Sequence, residues 1–491
     1  MPKGKGKKGK GKKHSKGSLT KKRSVDEEQQ ASRDTDEACE PKKFEDPFED
    51  EFEDEDIIDP SAEIAEELEG GSMDDGQPRL WRAGVDSLAP DEELEMDTSA
   101  YKIYHALRTE WPCLTFDIVR DELGGNRTRF PLSFTAVAGT QANRPEANKL
   151  MLMRFSDLHR LSQNAEDDED VVPEVNMDGD DEEDDDGCTD DDPILESFDI
   201  PHSGAVNRVR SCPGEPHLIA SMSDRSEVHI WNVQQPLRAL HGNGPRPNPR
   251  EITPMFSSRI AEEGYALDWQ SSSSPKLATG DCSGSIRLWD CTRGRQAGEW
   301  NCAADPTSRN DHSSSVEDLQ WSPGEQTVFM SASADQSLKV WDVRQPTHSM
   351  LTVKAHDSDV NALSWNTNVS YLVATGADDG SFKIWDLRSF GGTTSEPIAH
   401  FRWHRAPITS LQWHPQDESV IAVSSEEAAT LWDMSVEEDG AAQEAGIPPQ
   451  LLFLHQGQEN TKEIHFHPQL PGVLMTTAAD GFNIFKPNTN I

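Results

Sequence analysis

The sequence predicts an all-β protein built as a seven-bladed β-propeller. A tryptophan followed by aspartate or asparagine recurs roughly every 45 to 60 residues, which is the period of a four-stranded blade with its loops. Short runs of alternating character, such as Leu338–Trp341, are separated by turn residues such as Asp378-Asp379-Gly380. At 491 residues, the chain has room for seven such units and for charged extensions.

Five repeats are clear, and two more complete the predicted ring. The dipeptides that mark the five are Trp231-Asn232, Trp289-Asp290, Trp341-Asp342, Trp385-Asp386 and Trp432-Asp433. In a sixth repeat near residue 485 phenylalanine replaces the tryptophan, and a divergent seventh repeat lies at 132–154. We expect residues 114–119 to supply the strand that completes the last blade, because closing the ring removes most free sheet edges.

Polar residues recur at similar distances before the tryptophans, and this pattern resembles that of WD repeats. In two repeats a histidine lies 29 residues before the tryptophan, a hydroxyl residue ten before and an aspartate six before. The resemblance implies a buried hydrogen-bonded network inside each blade, and a buried aspartate and histidine need such partners. The predicted sets are His312, Ser331, Asp335 and Trp341, and His356, Thr375, Asp379 and Trp385.

Charge is concentrated in three segments outside the predicted blades. Residues 1–25 form a basic arm and residues 26–96 an acidic segment, and neither contains enough apolar residues to build a core. Two lysine clusters in the arm resemble a two-part nuclear localisation signal, although an RNA-contacting arm is the alternative. The residues of that signal are Lys12, Lys13, Lys21, Lys22 and Arg23.

A second acidic block is inserted into the predicted propeller at 163–194. Of the 27 residues from Glu166 to Asp192, 17 are acidic and none is basic. Unpaired charges are too costly to bury, so we expect an exposed loop that binds basic polypeptides. The densest run contains Asp180, Asp181, Glu182, Glu183, Asp184, Asp185 and Asp186.

Composition excludes several classes of function. The net charge of −43 argues against nucleic acid as the main ligand, because phosphate binding needs a basic face. The seven cysteines are irregularly spaced and include no CxxC pair, which indicates reduced thiols without a zinc site. No apolar run approaches the length of a membrane span. We expect a monomeric protein without enzymatic activity, metal or cofactor.

The segment before the first blade resembles the histone-binding WD proteins of chromatin-assembly complexes. Residues 97–112 contain helix N-caps and the sequence YKIYHALRTEWP, which predict an N-terminal helix before a propeller at 113–488. In that family an acidic loop ending in two prolines faces the helix, and together they hold a basic histone helix. The resemblance implies a groove formed by Tyr101, Leu107, Trp111, Glu437, Glu438, Asp439, Pro448 and Pro449.

The acidic segments and the lysine-rich arm are similar to those of the glutamate-rich branch of WD-repeat proteins. That resemblance implies a nuclear and nucleolar chaperone of ribosomal protein L3 and histones H3–H4, acting with pre-ribosomal particles and in chromatin assembly. The alternative is a substrate receptor of a cullin-4 ubiquitin ligase. Arg344 and Arg388 complete WDxR motifs in successive repeats, and such pairs resemble those that dock on cullin-4 adaptors.

Overall fold

The computed structural model describes most of the chain from residue 96 to residue 489. The described ranges are 96–161, 193–272, 275–293, 300–305, 309, 311–345, 347–390, 395–437 and 447–489. They contain seven antiparallel sheets of four strands, each of which is one blade, so the predicted seven-bladed propeller is confirmed. The basic arm, the acidic segment through residue 95 and the acidic residues 166–192 lie outside these ranges.

The first three blades follow one another along the chain. Blade 1 contains, from the inner to the outer strand, β2 Cys113–Val119, β3 Leu132–Thr140, β4 Lys149–Leu158 and β5 Ile194–Pro201. Blade 2 contains β6 Val206–Cys212, β7 Glu215–Ser223, β8 Glu227–Asn232 and β9 Phe256–Arg259. Blade 3 contains β10 Ala266–Trp269, β11 Lys276–Gly280, β12 Ile286–Arg293 and β13 Trp300–Ala304.

The next three blades have the same order. Blade 4 contains β14 Val316–Trp321, β15 Val328–Ser333, β16 Ser337–Asp342 and β17 Leu351–Lys354. Blade 5 contains β18 Val360–Trp365, β19 Leu372–Ala377, β20 Phe382–Asp386 and β21 Ala399–Phe401. Blade 6 contains β22 Ile408–Trp413, β23 Val420–Ser425, β24 Ala429–Asp433 and β25 Leu451–His455.

Blade 7 combines both ends of the described chain. It contains β26 Glu463–Phe466, β27 Leu474–Ala478, β28 Gly481–Pro487 and, as its outer strand, β1 Tyr101–Leu107. The described residues also include one α-helix, α1 Gln234–Leu240, between β8 and β9. Short 3-10 helices lie at Thr98–Ala100, Pro145–Ala147, Pro249–Glu251 and Leu387–Ser389.

The predicted N-terminal helix at 97–112 is wrong. Tyr101–Leu107 form strand β1, which pairs antiparallel with β28 from Tyr101 opposite Pro487 to Leu107 opposite Phe482. Only Thr98–Ala100 are helical, with Asp97 as N-cap accepting a hydrogen bond from the Ser99 amide at 3.0 Å. The free edge of β28 offers a full ladder of partners, and this long-range pairing outweighs local helix propensity.

The strand predicted to close the last blade is also assigned to a different blade. Residues 114–119 belong to β2, the inner strand of blade 1, and β1 closes blade 7 instead. The N-terminal part of the propeller does close the ring, as predicted, but the closing strand lies one strand earlier in the sequence than residues 114–119. Local sequence could not distinguish them, because both segments are short and rich in strand-forming residues.

A ring of hydrogen bonds joins the inner strands around the central channel. At each junction an N–H of one inner strand donates to a side chain or carbonyl of the preceding blade, at distances from 2.5 to 3.1 Å. The donor and acceptor pairs are Ser211 and Asp117, Trp269 and Arg210, Trp321 and Asp268, Trp365 and Gln320, Trp413 and Ser364, Phe466 and Gln412, and Phe116 and Glu463.

The blade networks connect the second and third strands of a blade to the connecting loops. In blade 4, Ser331 Oγ accepts from Trp341 Nε1 at 2.8 Å and lies 2.7 Å from His312 Nε2, whose Nδ1 is 2.8 Å from Asp335. The tryptophan, histidine and hydroxyl are buried, so each polar group has its partner inside the blade.

Blade 5 has the same network with one difference. Thr375 Oγ1 accepts from Trp385 Nε1 and is bonded to His356 Nε2, both at 2.9 Å. His356 Nδ1 is bonded to Ser381, which donates to Asp379, so here the aspartate reaches the histidine through a serine. Burial lowers the pKa of His356 to about 4, which keeps the ring neutral near pH 7.

One pair of cysteines departs from the expectation of reduced thiols. Cys291 and Cys302 form a disulfide between β12 and β13, where they lie directly opposite each other with Cα atoms 4.2 Å apart. Cys113, Cys212 and Cys282 are free. The pairing depends on the register of two antiparallel strands, which cysteine spacing alone does not specify.

We expect the replacement of Ser331 by alanine to lower the free energy of unfolding by roughly 2–4 kcal/mol, because it leaves the buried His312 and Trp341 nitrogens without a partner. Urea unfolding followed by tryptophan fluorescence measures this loss. The control Ser313→Ala changes an exposed side chain in the adjacent loop and should cost less than about 0.5 kcal/mol. Equal losses in the two variants would contradict a stabilising role for the network.

Candidate functional site

The antiparallel order of the blades separates the loops into two faces. Loops that join the second and third strands of a blade, and connections from one blade to the next, lie at one end of the propeller, which we call the upper face. Loops that join the first and second or the third and fourth strands lie at the other end, the lower face. Every loop of the described chain can therefore be assigned to a face from the strand order.

The upper face is strongly acidic. Besides the buried Arg309, its described loops contain six basic side chains, fewer than their exposed carboxylates: Arg108, Arg144, Arg225, Arg402, Arg405 and Lys462. The exposed carboxylates are Glu110, Glu146, Asp224, Glu262, Asp311, Asp357, Asp359, Asp378, Asp379, Glu426, Glu427, Glu459 and Asp480. The sequence does not predict this acidic face, because its carboxylates come from separate loops and form no continuous acidic run.

Backbone hydrogen bonds hold the acidic loops of neighbouring blades together. The Asp378 amide donates to the Asp359 carbonyl at 3.0 Å, and the Thr461 amide donates to the Glu426 carbonyl at 3.2 Å. Of the basic residues, Lys462 is paired with Glu426 at 3.1 Å. Closely spaced carboxylates on a rigid frame focus a negative potential, which attracts positively charged ligands.

The described residues of the predicted histone groove lie in different parts of the propeller. Tyr101 is only 5% exposed, and its hydroxyl lies 2.8 Å from His455 Nδ1 in the core between blades 6 and 7. Trp111 lies in the connection to blade 1, on the upper face, whereas Pro448 and Pro449 lie in the loop between β24 and β25, on the lower face. About 20 Å of strand separates Tyr101 from Leu107, which leads to Trp111.

The remaining predicted groove residues are partly described. Leu107 is half-buried and packs against the core cluster of blades 1 and 7, and Glu437 is exposed at the start of the loop. Glu438 and Asp439 lie outside the described residues. The loop closes through a hydrogen bond of 3.0 Å from the Leu451 amide to the Pro448 carbonyl.

The start of the acidic insertion lies beside the strand that follows the loop with the two prolines, on the lower face. Leu161 precedes the acidic insertion, donates its amide to the Lys102 carbonyl at 3.1 Å and packs against the cluster that contains Tyr101 and Phe453. Phe453 belongs to β25, which follows the loop with the two prolines. The topology thus brings the start of the acidic insertion beside this loop, although they are far apart in sequence.

The two WDxR motifs occupy equivalent places on neighbouring blades. The Arg344 and Arg388 side chains are 72% and 64% exposed, and each forms a forked ion pair with the aspartate of its own motif. Arg388 also lies 3.6 Å above the Tyr371 ring. The large apolar side chains Met350, Leu351, Tyr371 and Ile398 are exposed on the same two blades.

The central channel contains buried charge that is only partly neutralised. Glu463, 1% exposed, accepts hydrogen bonds from Arg208 and Arg210 at 2.7 and 2.6 Å. Burial alone would raise the pKa of Glu463, but Arg210, His465 and Arg208 outweigh burial and hold it well below its usual range. A cavity of about 360 Å³ opens from the channel at the lower face.

Among the described residues, the carboxyl group of Asp268 has no such ion pair. It accepts the Trp321 amide at 2.8 Å, and burial raises its pKa to about 7, opposed only in part by that hydrogen bond and by Arg210. Burial also raises the pKa of Asp117 and of Asp318. These carboxylates serve first as acceptors in the hydrogen-bond ring between blades.

No metal-binding arrangement was found in the described part of the chain, and the turn that resembles a nucleophile elbow in sequence lacks the geometry of one. Gly280–Gly284 lies between β11 and β12, in a strand-turn-strand, whereas a nucleophile elbow needs a helix after the turn. Gly284 has φ +82°, and a Cβ there would lie 2.7 Å from the His312 carbonyl, so the turn itself requires glycine. The described residues contain no group of three metal-ligating side chains and no helix suited to span a membrane.

Comparisons with known proteins agree with this architecture. Residues 91–159 match the family described as histone-binding protein RBBP4 or a CAF1-complex component, and residues 251–456 match the nucleolar protein 10-like N-terminal propeller. The chain is 42% identical to glutamate-rich WD repeat-containing protein 1 of Dictyostelium discoideum, over 91% of this chain and 94% of that protein.

Two further relatives cover similar lengths. Ribosome assembly protein rrb1 of Schizosaccharomyces pombe is 39% identical over 91% of this chain and 93% of its own length. Protein HEAT STRESS TOLERANT DWD 1 of Arabidopsis thaliana is 41% identical over 83% of this chain and 91% of its own length. The fold and these matches define a WD-repeat propeller with a histone-binding-type N-terminal region. Within that class, the chain belongs to the family of glutamate-rich WD repeat-containing protein 1 and ribosome assembly protein rrb1.

The unpaired carboxyl of Asp268 predicts a pH-dependent stability. Because its folded pKa of about 7 lies above the unfolded value near 4, this carboxyl group destabilises the folded state progressively as pH rises from about 4 through 7. Asp268→Asn keeps an oxygen acceptor for the Trp321 amide without the charge. We expect its stability relative to the wild type to increase between pH 5 and pH 8 in urea unfolding.

A matched control for this prediction is Asp378→Asn, which removes an exposed carboxylate from an upper-face loop. Its stability relative to the wild type should show the smaller change over the same pH range. If both variants behave alike, the Asp268 carboxyl is not a titrating group of the folded state in this range.

Proposed function

We propose that this protein is a non-enzymatic acidic chaperone that binds basic nuclear proteins, namely ribosomal protein L3 and histones H3–H4. The observation that carries the proposal is the acidic upper face, where at least five connections between blades contribute exposed carboxylates. The carboxylates of this face would attract the cations of a basic polypeptide and offset the repulsion among those cations. The bound polypeptide would then be kept from binding RNA incorrectly.

The names of the relatives support two kinds of assembly to which a bound basic protein (the cargo) would be delivered. One relative is named as a ribosome assembly protein, and the matching family is described as histone-binding. We infer that the protein works in the nucleus and nucleolus, delivering L3 to pre-ribosomal particles and histones to chromatin. The lysine clusters at Lys12-Lys13 and Lys21-Lys22-Arg23 support nuclear import, and they lie outside the described residues.

The acidic loops of the upper face and the continuous acidic run 166–192 would contribute differently to binding. The upper face holds its carboxylates on short loops, so little conformational entropy is lost when a partner binds. The acidic run 166–192 supplies a higher charge density without a fixed pattern. We propose that the run speeds capture through long-range attraction and that the upper face contributes specificity.

The proposal predicts that neutralising the upper face weakens cargo binding. We expect the variant Glu262→Gln, Asp359→Asn, Asp378→Asn and Glu427→Gln to bind H3–H4 and L3 roughly ten- to a hundredfold more weakly at low salt, since several screened attractions are lost. Isothermal titration calorimetry at two salt concentrations measures the effect. None of these side chains supports a blade through a hydrogen bond or an ion pair recorded among the described residues.

A charge-matched control is available on the opposite face. Glu122, Glu325, Glu396 and Glu418 are exposed in lower-face loops, and their replacement by glutamine removes the same charge. This control should bind both cargoes with nearly wild-type affinity. If the two variants lose affinity equally, net charge determines binding and the upper face has no special role.

The second candidate function is docking on a cullin-4 adaptor. It is favoured by the equivalent placement of Arg344 and Arg388 and by the exposed apolar side chains beside them. An exposed apolar patch with central arginines is typical of a protein interface. The patch belongs to blades 4 and 5 on the lower face, so docking there would leave the upper face free for cargo.

Replacing both Arg344 and Arg388 with alanine should abolish co-purification of the cullin-4 adaptor, because each guanidinium would lose its contacts in the interface. Quantitative recovery of the adaptor from cells measures this, with histone binding expected to stay within about twofold of wild type. Unchanged adaptor recovery would remove this candidate, and a parallel loss of histone binding would indicate a folding defect instead.

A further inference from the structure

A basic patch lies on this strongly acidic molecule where blade 2 carries an insertion. The connection between β8 and β9 spans residues 233–255 and contains α1 and the 3-10 helix Pro249–Glu251. It carries Arg238, Arg246 and Arg250, and its one carboxylate is Glu251. The insertion belongs to the lower face, at the opposite end of the propeller from the acidic loops.

The insertion is packed against the outer strand of blade 1. Arg154 Nη1 donates to the Leu240 carbonyl at the end of α1 at 3.2 Å. Arg246 Nη2 donates to the Ser197 carbonyl at 2.6 Å, and its guanidinium lies 5.5 Å from the centre of the Phe198 ring. These contacts place Arg154 and Arg246 at blade 1, and α1 and the 3-10 helix, which carry Arg238 and Arg250, also lie next to β5. We call these four residues the arginine patch.

The charges of the arginine patch are mostly not neutralised. Arg154 is paired with Glu196 at 2.9 Å, and Glu251 accepts from the Asn248 amide group. Arg238 and Arg250 are exposed and form no recorded side-chain hydrogen bond or ion pair with the described residues. Arg246 is exposed and retains free donors, because only Nη2 contacts the Ser197 carbonyl.

We propose that the arginine patch binds the phosphate backbone of RNA. A guanidinium presents a planar fork of donors that matches phosphate oxygens, and a polynucleotide offers one phosphate per residue, so separated arginines can bind together. The patch contains no exposed aromatic side chain, which favours contacts with the backbone over reading of bases. The choice of RNA as the polyanion rests on the proposed delivery of L3 to pre-ribosomal particles.

The carboxylates of the upper face lie at the opposite end of the propeller from the arginine patch, whereas the acidic insertion that leads into β5 belongs to the same lower face. At physiological salt, charges more than about 8 Å apart are largely screened, so the upper face does not cancel the patch at the opposite end of the propeller. A cargo held on the upper face would therefore approach RNA while the patch anchors the carrier. An RNA contact at this patch is compatible with the expectation from net charge that nucleic acid is not the main ligand.

The test is the affinity of the full chain for a fluorescent oligouridine of about 20 nucleotides, followed by anisotropy over a range of salt concentrations. The patch variant is Arg238→Glu, Arg246→Glu and Arg250→Glu. The matched control is Arg225→Glu, Arg402→Glu and Arg405→Glu, which changes exposed arginines of the upper face by the same charge. Both variants keep the basic arm, so their difference reports the patch.

We expect the patch variant to bind at least about tenfold more weakly than the control, with a slope of log affinity against log salt that is lower by about 2, since three phosphate contacts are lost. Arg238→Lys, Arg246→Lys and Arg250→Lys should bind more tightly than the patch variant but more weakly than wild type, because the charge is retained while the planar fork of donors is lost. Since Arg246 also anchors the insertion, Arg238→Glu with Arg250→Glu provides a second variant, with a slope lower by about 1.

Equal affinities of the patch variant and the control would overturn the proposal. Polyglutamate provides a second test. If the patch variant loses affinity for polyglutamate as strongly as for RNA, the proposal is also overturned, because the patch would then recognise acidic polypeptides. H3–H4 binding is measured in the same variants. Loss of RNA binding with intact histone binding supports the patch, whereas absent histone binding in the wild type contradicts only the proposed chaperone function.

Discussion

The antiparallel ladder between β1 and β28 is the contact on which the rest of the structure depends. It joins residues 101–107 to residues 481–487 and gives blade 7 its fourth strand. Across the neighbouring junction, Glu463 accepts the Phe116 amide and completes the ring of hydrogen bonds around the channel. Because the positions of all loops follow from the closed ring, the acidic upper face and the lower-face insertions exist as surfaces only when this ladder is formed.

Acidic residues have two separate roles in the propeller. Some carboxylates are structural: Asp335 and Asp379 accept hydrogen bonds from the serine two residues later and hold the turns between strands. Others, such as Asp359 and Asp378, point their charge to solvent from the same loops. Turns favour aspartate for its hydrogen bonding to nearby amides, so a binding surface and turn chemistry can use the same residue type.

The lower face combines elements that differ in charge. The acidic insertion starts beside the loop with Pro448 and Pro449, the arginine patch covers the edge of β5, and the WDxR arginines lie on blades 4 and 5. The WDxR arginines belong to other blades than the arginine patch, whereas the acidic insertion leads into β5 and therefore shares blade 1 with it. A propeller can therefore present a basic cargo, an RNA contact and a protein contact on separate parts of one rigid frame.

Much of the fold could be predicted because a propeller repeats one local pattern. The recurrence of tryptophan, hydroxyl and histidine residues indicated the blades, and in the structure Ser331 and Thr375 accept hydrogen bonds from Trp341 and Trp385. The basic arm and the acidic segments could also be predicted from the sequence, since composition alone identifies them. The residue types at these positions are dictated by burial and turn geometry inside a single blade, so the sequence by itself determined blade number, blade chemistry and total charge.

Tertiary structure decided every feature that depends on pairing between distant segments. It made Tyr101–Leu107 a strand, because the edge of β28 supplied partners that local propensity could not anticipate. It placed Tyr101 in the core, and it placed Trp111 and Pro448 on opposite faces of the propeller. It also gathered carboxylates from separate loops onto one face and arginines from two blades into a patch, because loop position is set by ring closure and strand direction.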